Sequence, residues 1–175
     1  VDKTISGKEQ AAAARAAQPT AEAKAAAWDA LIDPSTPNET SREIAFSIFR
    51  FGQEDVLAPY LEKFLAASET LVDTLGFHKA STILEYGFPK PLGSEATLGR
   101  LDEWLADSSA PKQAQRYVGE ARAEIARALA AQQYDDHTSI HDDATARKFG
   151  FKGGTIEGPT HFSQFVPLCV ALWGS

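Results

Sequence analysis

Apolar residues recur every three or four positions through residues 8–132, the spacing that places them on one face of an α-helix. The longest stripe lies in 111–133 and consists of Ala114, Tyr117, Val118, Ala121, Ile125, Ala128 and Leu129. Shorter stripes of the same kind precede it, and many of their positions are alanine, the strongest helix former. The pattern predicts about six or seven amphipathic helices of about 12–20 residues each.

Hydroxyl side chains and prolines mark the expected helix ends. Thr20 and Ser94 each stand directly before an apolar stripe, where a side-chain oxygen can accept hydrogen bonds from the first turn. Thr40 and Glu43 have the spacing of a capping box, so another helix is predicted to begin at Thr40. Pro59 is expected in a first turn, where its missing N–H costs little.

The helix predicted from Thr40 carries its apolar residues at heptad-like spacing. Ile44, Ile48 and Phe51 lie at i, i+4 and i+7, so all three are expected to face the core. Gly52 follows directly and is expected to end the helix.

Short links between helices make sequence neighbours antiparallel, and alanine-rich faces let them approach closely. The fold predicted for residues 1–133 is therefore all-α, a HEAT-like superhelical array of antiparallel helix pairs. After Gln133 the composition changes to Asp, Thr, Gly and His. Residues 134–175 are predicted to be an irregular C-terminal tail, a loop followed by a short apolar helix.

Composition narrows the class of protein. The formal net charge of −7 argues against a nucleic-acid-binding face. The longest apolar-leaning stretch, 162–173, is too short to span a bilayer. Cys169 is the single cysteine, which excludes an internal disulfide and a multi-cysteine zinc site, and a reduced cytoplasmic setting is expected. The chain has no methionine and starts at Val1, so we expect a fragment or a chimaera. Its three tryptophans, Trp28, Trp104 and Trp173, are interpreted as packing anchors.

Three strings carry a family resemblance. They are "ARAAQPTAEAKAAAWDALI", "REIAFSIFRFGQEDVLAPYLEKF" and "ARAEIARALAAQ". In this order they resemble the C-terminal helical domain of the aminopeptidase N family over about residues 8–132.

The resemblance implies a parent enzyme that binds zinc through a His-Glu-x-x-His helix and grips its substrate with a Gly-Ala-Met-Glu-Asn loop. Neither motif occurs in this sequence. The chain is therefore expected to be non-catalytic, with no metal or cofactor site of its own and with zinc held in the parent enzyme. Its expected partner is an upstream catalytic domain whose chamber it caps, so peptides would be met only indirectly.

The stretch "DDHTSIHDD" at 135–143 supports an alternative function. With the residues that follow, it resembles the start of the MaoC-like hot-dog enoyl-CoA hydratases; the matching residues are Asp136, His141, Asp142, Asp143, Ala146, Gly150, Phe151 and Gly158. This resemblance implies that Asp136 and His141 form a catalytic pair in a hydratase or dehydratase. No alternating strand pattern precedes residue 134, so the sheet that would hold the pair is not predicted.

Two other interpretations of the tail stay open. His137 and His141 are four residues apart among several aspartates, a set that could bind a divalent ion. The simplest interpretation is a solvated polar linker that leads into a short apolar segment. For the helical part, a generic interaction module is the remaining alternative.

Overall fold

The computed structural model describes residues 4–132 together with 147, 148 and 150. Throughout 4–132 the regular secondary structure is helical, with no strand, which confirms the predicted all-α class. The chain divides into two units, Val1–Gln132 and Gln133–Ser175. The predicted loop and apolar helix of the tail lie outside the described residues.

Eight α-helices and one short 3-10 turn, Lys90–Leu92, make up the first unit within its described residues. The helices are α1 (Ile5–Ala16), α2 (Ala21–Ile32), α3 (Asn38–Ser47), α4 (Glu54–Leu57), α5 (Tyr60–Ser68), α6 (Leu71–Tyr86), α7 (Glu95–Asp107) and α8 (Lys112–Gln132). Along one side α1 lies beside α3, α3 beside α6 and α6 beside α8, while α2 packs on α1 and α3. The HEAT-like superhelical arrangement stays a prediction.

Two of the predicted helix caps are confirmed. The Thr20 hydroxyl accepts a hydrogen bond from the Ala23 N–H at 3.2 Å, and the Ser94 hydroxyl accepts one from the Thr97 N–H at 3.1 Å. The predicted cap at Thr40 is wrong, because α3 already begins at Asn38. Pro37 stands at the cap position with φ −58°, and its fixed φ allows the helix to start before Thr40 is reached.

The predicted burial of Phe51 is also wrong. Helix α3 ends at Ser47, and Phe51 is 79 % exposed. The hydrogen bond from the Ile48 N–H to the Ile44 carbonyl, at 2.9 Å, caps the helix, so the chain leaves it before Phe51 is reached. Just beyond that end, Lys24 Nζ of another helix donates a hydrogen bond to the Ile48 carbonyl. A continuing helix would need that carbonyl for the Gly52 N–H, which instead donates to a Glu54 carboxylate oxygen at 2.9 Å. Gly52 then turns the chain with φ +81°.

The apolar stripe of 55–75 is distributed over three helices. Pro59 stands at the N-terminal cap position of α5 rather than within its first turn, and separates α5 from α4. The predicted inward residues Tyr60, Phe64 and Leu65 are buried. Helix α6 is interrupted at Gly76, whose φ of 74° and ψ of 165° are not helical, so its second half matches the short helix predicted for about 78–86.

Aromatic rings organise the core. Trp28 contacts Tyr60 edge-on with ring centroids 5.7 Å apart, and Phe49 packs on both rings. Phe64 meets Phe88 edge-on at 5.4 Å. Trp28 is therefore the packing anchor that the sequence predicts, and Trp104 is buried in the same core. Trp173 lies outside the described residues.

Candidate functional site

The described residues do not form a reactive centre. No three His, Cys, Asp or Glu side chains of the described part are grouped so that they could hold a metal ion. His78 lies exposed on α6. The catalytic pair predicted from sequence, Asp136 and His141, and the metal candidate His137 lie outside the described residues, as does Cys169. These site assignments stay predictions.

The charged side chains of the helices form exposed ion pairs that join neighbouring elements. Arg100 of α7 donates two hydrogen bonds to Glu62 of α5, at 2.8 and 2.9 Å. Arg122 of α8 donates two to Asp102 of α7, at 2.8 and 3.0 Å. Hydrogen bonding from Arg122 lowers the pKa of the Asp102 carboxyl below its ordinary value. Exposed pairs of this kind contribute little stability, and they orient helices rather than a substrate.

Two buried lysines are a feature that the sequence interpretation missed. Lys24 is fully buried, and its ammonium donates to the Ala16 carbonyl at 2.8 Å and to the Ile48 carbonyl. Burial lowers the pKa of Lys24, and the positive charge of Arg50 lowers it further. The sequence carries one sign of this burial: Lys24 precedes Ala27, Trp28 and Leu31 at helical spacing, so it lies on their apolar stripe.

Lys79 repeats the arrangement on α6. Its ammonium donates to the Asp33 carbonyl at 2.6 Å and to the Thr36 carbonyl at 2.8 Å. Burial lowers the pKa of Lys79, and the Asp33 carboxylate opposes that shift. The last carbonyls of a helix have no partner inside it and carry partial negative charge, so an ammonium is a suitable partner for them. Lys24 therefore caps the ends of α1 and α3, while Lys79 caps the end of α2 through Asp33 and also holds the following turn through Thr36.

Aromatic side chains of α3, α6 and α8 lie near the surface: Phe46 and Tyr86 are exposed, and Tyr117 is half-buried. Phe46 and Tyr86 are 44 % and 38 % exposed, and their ring centroids are 4.5 Å apart. The Arg42 guanidinium lies over the Phe46 ring at 5.4 Å, and that of Arg116 lies over Tyr117 at 4.5 Å. We call Phe46, Tyr86 and Tyr117 the aromatic row. A hydrogen bond with Glu85 is the largest cause that raises the pKa of Tyr86.

A groove of about 320 Å³ lies between the second half of α8 and the turns that face it. Its walls are mainly apolar: Phe51, Phe88, Pro91, Ala121, Ile125, Ala128 and Leu129. The ion pair of Lys90 with Glu124, at 2.9 Å, also lines it. Apart from the Lys90–Glu124 pair, the side chains of its lining are apolar.

Taken together, the described residues form a helical scaffold without a metal-binding group among them. The sequence profile of the ERAP1-like C-terminal domain matches residues 1–127, and the chain belongs to that family. Aminopeptidase N of Streptomyces lividans is similar to it, with 35 % identity over 135 residues. That match covers 77 % of this chain and 16 % of the relative.

These findings confirm the resemblance to the C-terminal helical domain of the aminopeptidase N family. The first unit is thus a C-terminal domain of an aminopeptidase N-like protein. None of the described helices is long and apolar enough to cross a membrane.

Proposed function

We propose that the chain is the non-catalytic cap of a zinc aminopeptidase of the aminopeptidase N type, and that it limits access to the catalytic chamber. The observation that carries the proposal is the family membership of residues 1–127 combined with the absence of a metal-binding group in the described part. The match covers 16 % of the relative, so the catalytic residues are placed in the rest of such a protein.

The described residues do not fit a zinc ion. Catalytic zinc needs three protein ligands, and no such group of His, Cys, Asp or Glu lies in the described part. We therefore assign the zinc and the bond-breaking step to polypeptide outside the described residues. What these helices contribute is a stable wall: the Trp28 and Phe64 clusters fix the helices internally, and ion pairs fix them at the surface.

The aromatic row is the surface that we assign to contact with the rest of the enzyme. Aromatic and arginine side chains are enriched at protein interfaces, because they bury large areas at low entropic cost. Phe46 and Tyr86 stay partly exposed although they stack on each other, and Arg42 lies beside them. Peptides would meet this domain only indirectly, when they pass the entrance that it narrows.

The test compares a full-length enzyme that contains this domain with a version that lacks residues 1–132. Both are assayed with a small aminoacyl amide and with a long peptide. A cap restricts large substrates more than small ones, so truncation should raise the ratio of kcat/KM for the long peptide to that for the amide at least about threefold. An unchanged ratio, with both activities altered equally, would show that the domain does not control access.

Two substitutions test the contact assignment separately. Phe46→Ala combined with Tyr86→Ala should change the same ratio in the direction of truncation. The matched control is Phe77→Ala on α6, because Phe77 is 71 % exposed and outside the aromatic row. Equal effects of the control and the double variant would contradict the assignment.

A further inference from the structure

The first helix is attached to its neighbours mainly through small side chains. Helix α1 buries only Ala13 and Ala16. Its one large apolar side chain, Ile5, is 78 % exposed. Because hydrophobic stabilisation grows with the apolar area removed from water, α1 gains much less from packing than α2, which buries Trp28 and Leu31.

Polar groups from elsewhere hold the C-terminal end of α1. Lys24 Nζ donates to the Ala16 carbonyl at 2.8 Å, and Gln53 Nε2 donates to the Ala17 carbonyl at 3.2 Å. The Lys24 ammonium also donates to the Ile48 carbonyl just beyond α3. One ammonium therefore joins the ends of two helices, where partial negative charge accumulates.

The same ammonium also opposes the packing of α1 on α2 and α3. Lys24 is fully buried, and both of its hydrogen-bond partners are neutral carbonyls. A buried charge without a counter-ion loses its hydration, which is costly. Detachment of α1 would return water to Lys24. One charge-assisted hydrogen bond from Lys24, one hydrogen bond from Gln53, one from Gln10 to Glu43 and alanine contacts thus hold α1 in place, while dehydration of the ammonium works against them.

We propose that α1 is a latch, which detaches from α2 and α3 as one unit while α2–α8 remain folded, and that Lys24 is the group that closes it. Residues of α1, among them Ala12 and Ala16, line a groove together with Ala23, Ala27 and Ile44, so detachment would open this groove further. Elements with few buried apolar contacts are the ones that open locally in folded proteins.

Native-state hydrogen exchange of the full chain, read by mass spectrometry of peptides, tests the latch. The amides of residues 9–17 should exchange at least about tenfold faster than those of α5 and α7. Protection from exchange should be similar from residue 9 to residue 17, because a latch opens as a unit. Lys24→Met should speed exchange in α1 by a further factor of about ten and leave α7 and α8 unchanged. Lys8→Met is the matched control, because Lys8 is an exposed lysine of α1, and it should have no effect.

Three results would overturn the latch. One is protection of residues 13–17 equal to that of α5, with fast exchange confined to the first turn, which is fraying. Another is an equal acceleration of all helices by Lys24→Met. The last is an unchanged exchange rate of α1 in Gln53→Ala. This variant leaves Lys24 in place and should speed exchange in α1 by a smaller factor than Lys24→Met. The wild-type and Gln53→Ala measurements decide the matter if Lys24→Met does not fold.

Discussion

Replacement of two glycines by alanine should change stability in opposite directions. Gly76 interrupts α6 with φ 74° and ψ 165°, a combination that is essentially restricted to glycine. Gly99 lies inside α7, where alanine is the better helix former. A Cβ atom added at either position meets nothing within 4 Å, so steric clashes do not enter the comparison.

The size of each stability change follows from the backbone conformation at the substituted glycine. Gly76→Ala forces a side chain into a strained conformation and should lower the free energy of unfolding by about 1–3 kcal/mol. Gly99→Ala should raise it by about 0.5–1 kcal/mol, because the unfolded chain of the variant has less conformational freedom to lose. With a urea dependence of about 2 kcal/mol per molar, the midpoints should move down by about 0.5–1.5 M and up by about 0.25–0.5 M.

The assay is urea unfolding followed by circular dichroism at a helix-sensitive wavelength. Gly119→Ala provides a second control, because Gly119 lies in α8 with open space around the added Cβ, and it should behave like Gly99→Ala. An increase in stability from Gly76→Ala similar to that from Gly99→Ala would refute the interruption of α6.

Three other predictions concern caps, charge and pH. Thr20→Ala should cost about 1 kcal/mol of unfolding free energy through loss of its cap, whereas Thr40→Ala should be within about 0.5 kcal/mol of wild type; urea unfolding measures both. Burial lowers the pKa of Lys24, so between that lowered pKa and 10.5 the unfolded state binds more protons than the folded state, and stability rises with pH across that range. Methionine does not titrate, so the stability difference between wild type and Lys24→Met should shift in favour of wild type as pH rises, and a difference independent of pH would contradict the buried charge. Asp102→Asn removes an exposed partner of Arg122 and should lower the melting temperature only slightly, with the difference vanishing in high salt; a difference that persists there would contradict the exposed pair.

Features that depend on neighbours in sequence are predictable here. The stripe of α8 and the caps at Thr20 and Ser94 need only a period and a hydroxyl in the right place, and the structure has all three. Thr40 shows the limit of such local rules. Its capping-box spacing is real, but Pro37 starts the helix before it.

Features that depend on distant residues could not be predicted from periodicity. Phe51 has helical spacing and would be buried if α3 continued, yet α3 ends at Ser47 and Lys24 from α2 hydrogen-bonds the Ile48 carbonyl just beyond it. The aromatic row also combines residues from three helices. Phe46 and Tyr86 are separated by 40 positions in sequence, so their stacking becomes visible only when α3 lies beside α6.

The proposed cap covers a catalytic centre that lies outside its described residues. The most direct test incubates the full chain with zinc and measures hydrolysis of an aminoacyl amide, with hydration of a crotonyl-type thioester measured in parallel. Neither substrate should be turned over. Zinc-dependent hydrolysis of the amide by this chain alone, or thioester hydration that is lost in Asp136→Asn, would contradict it.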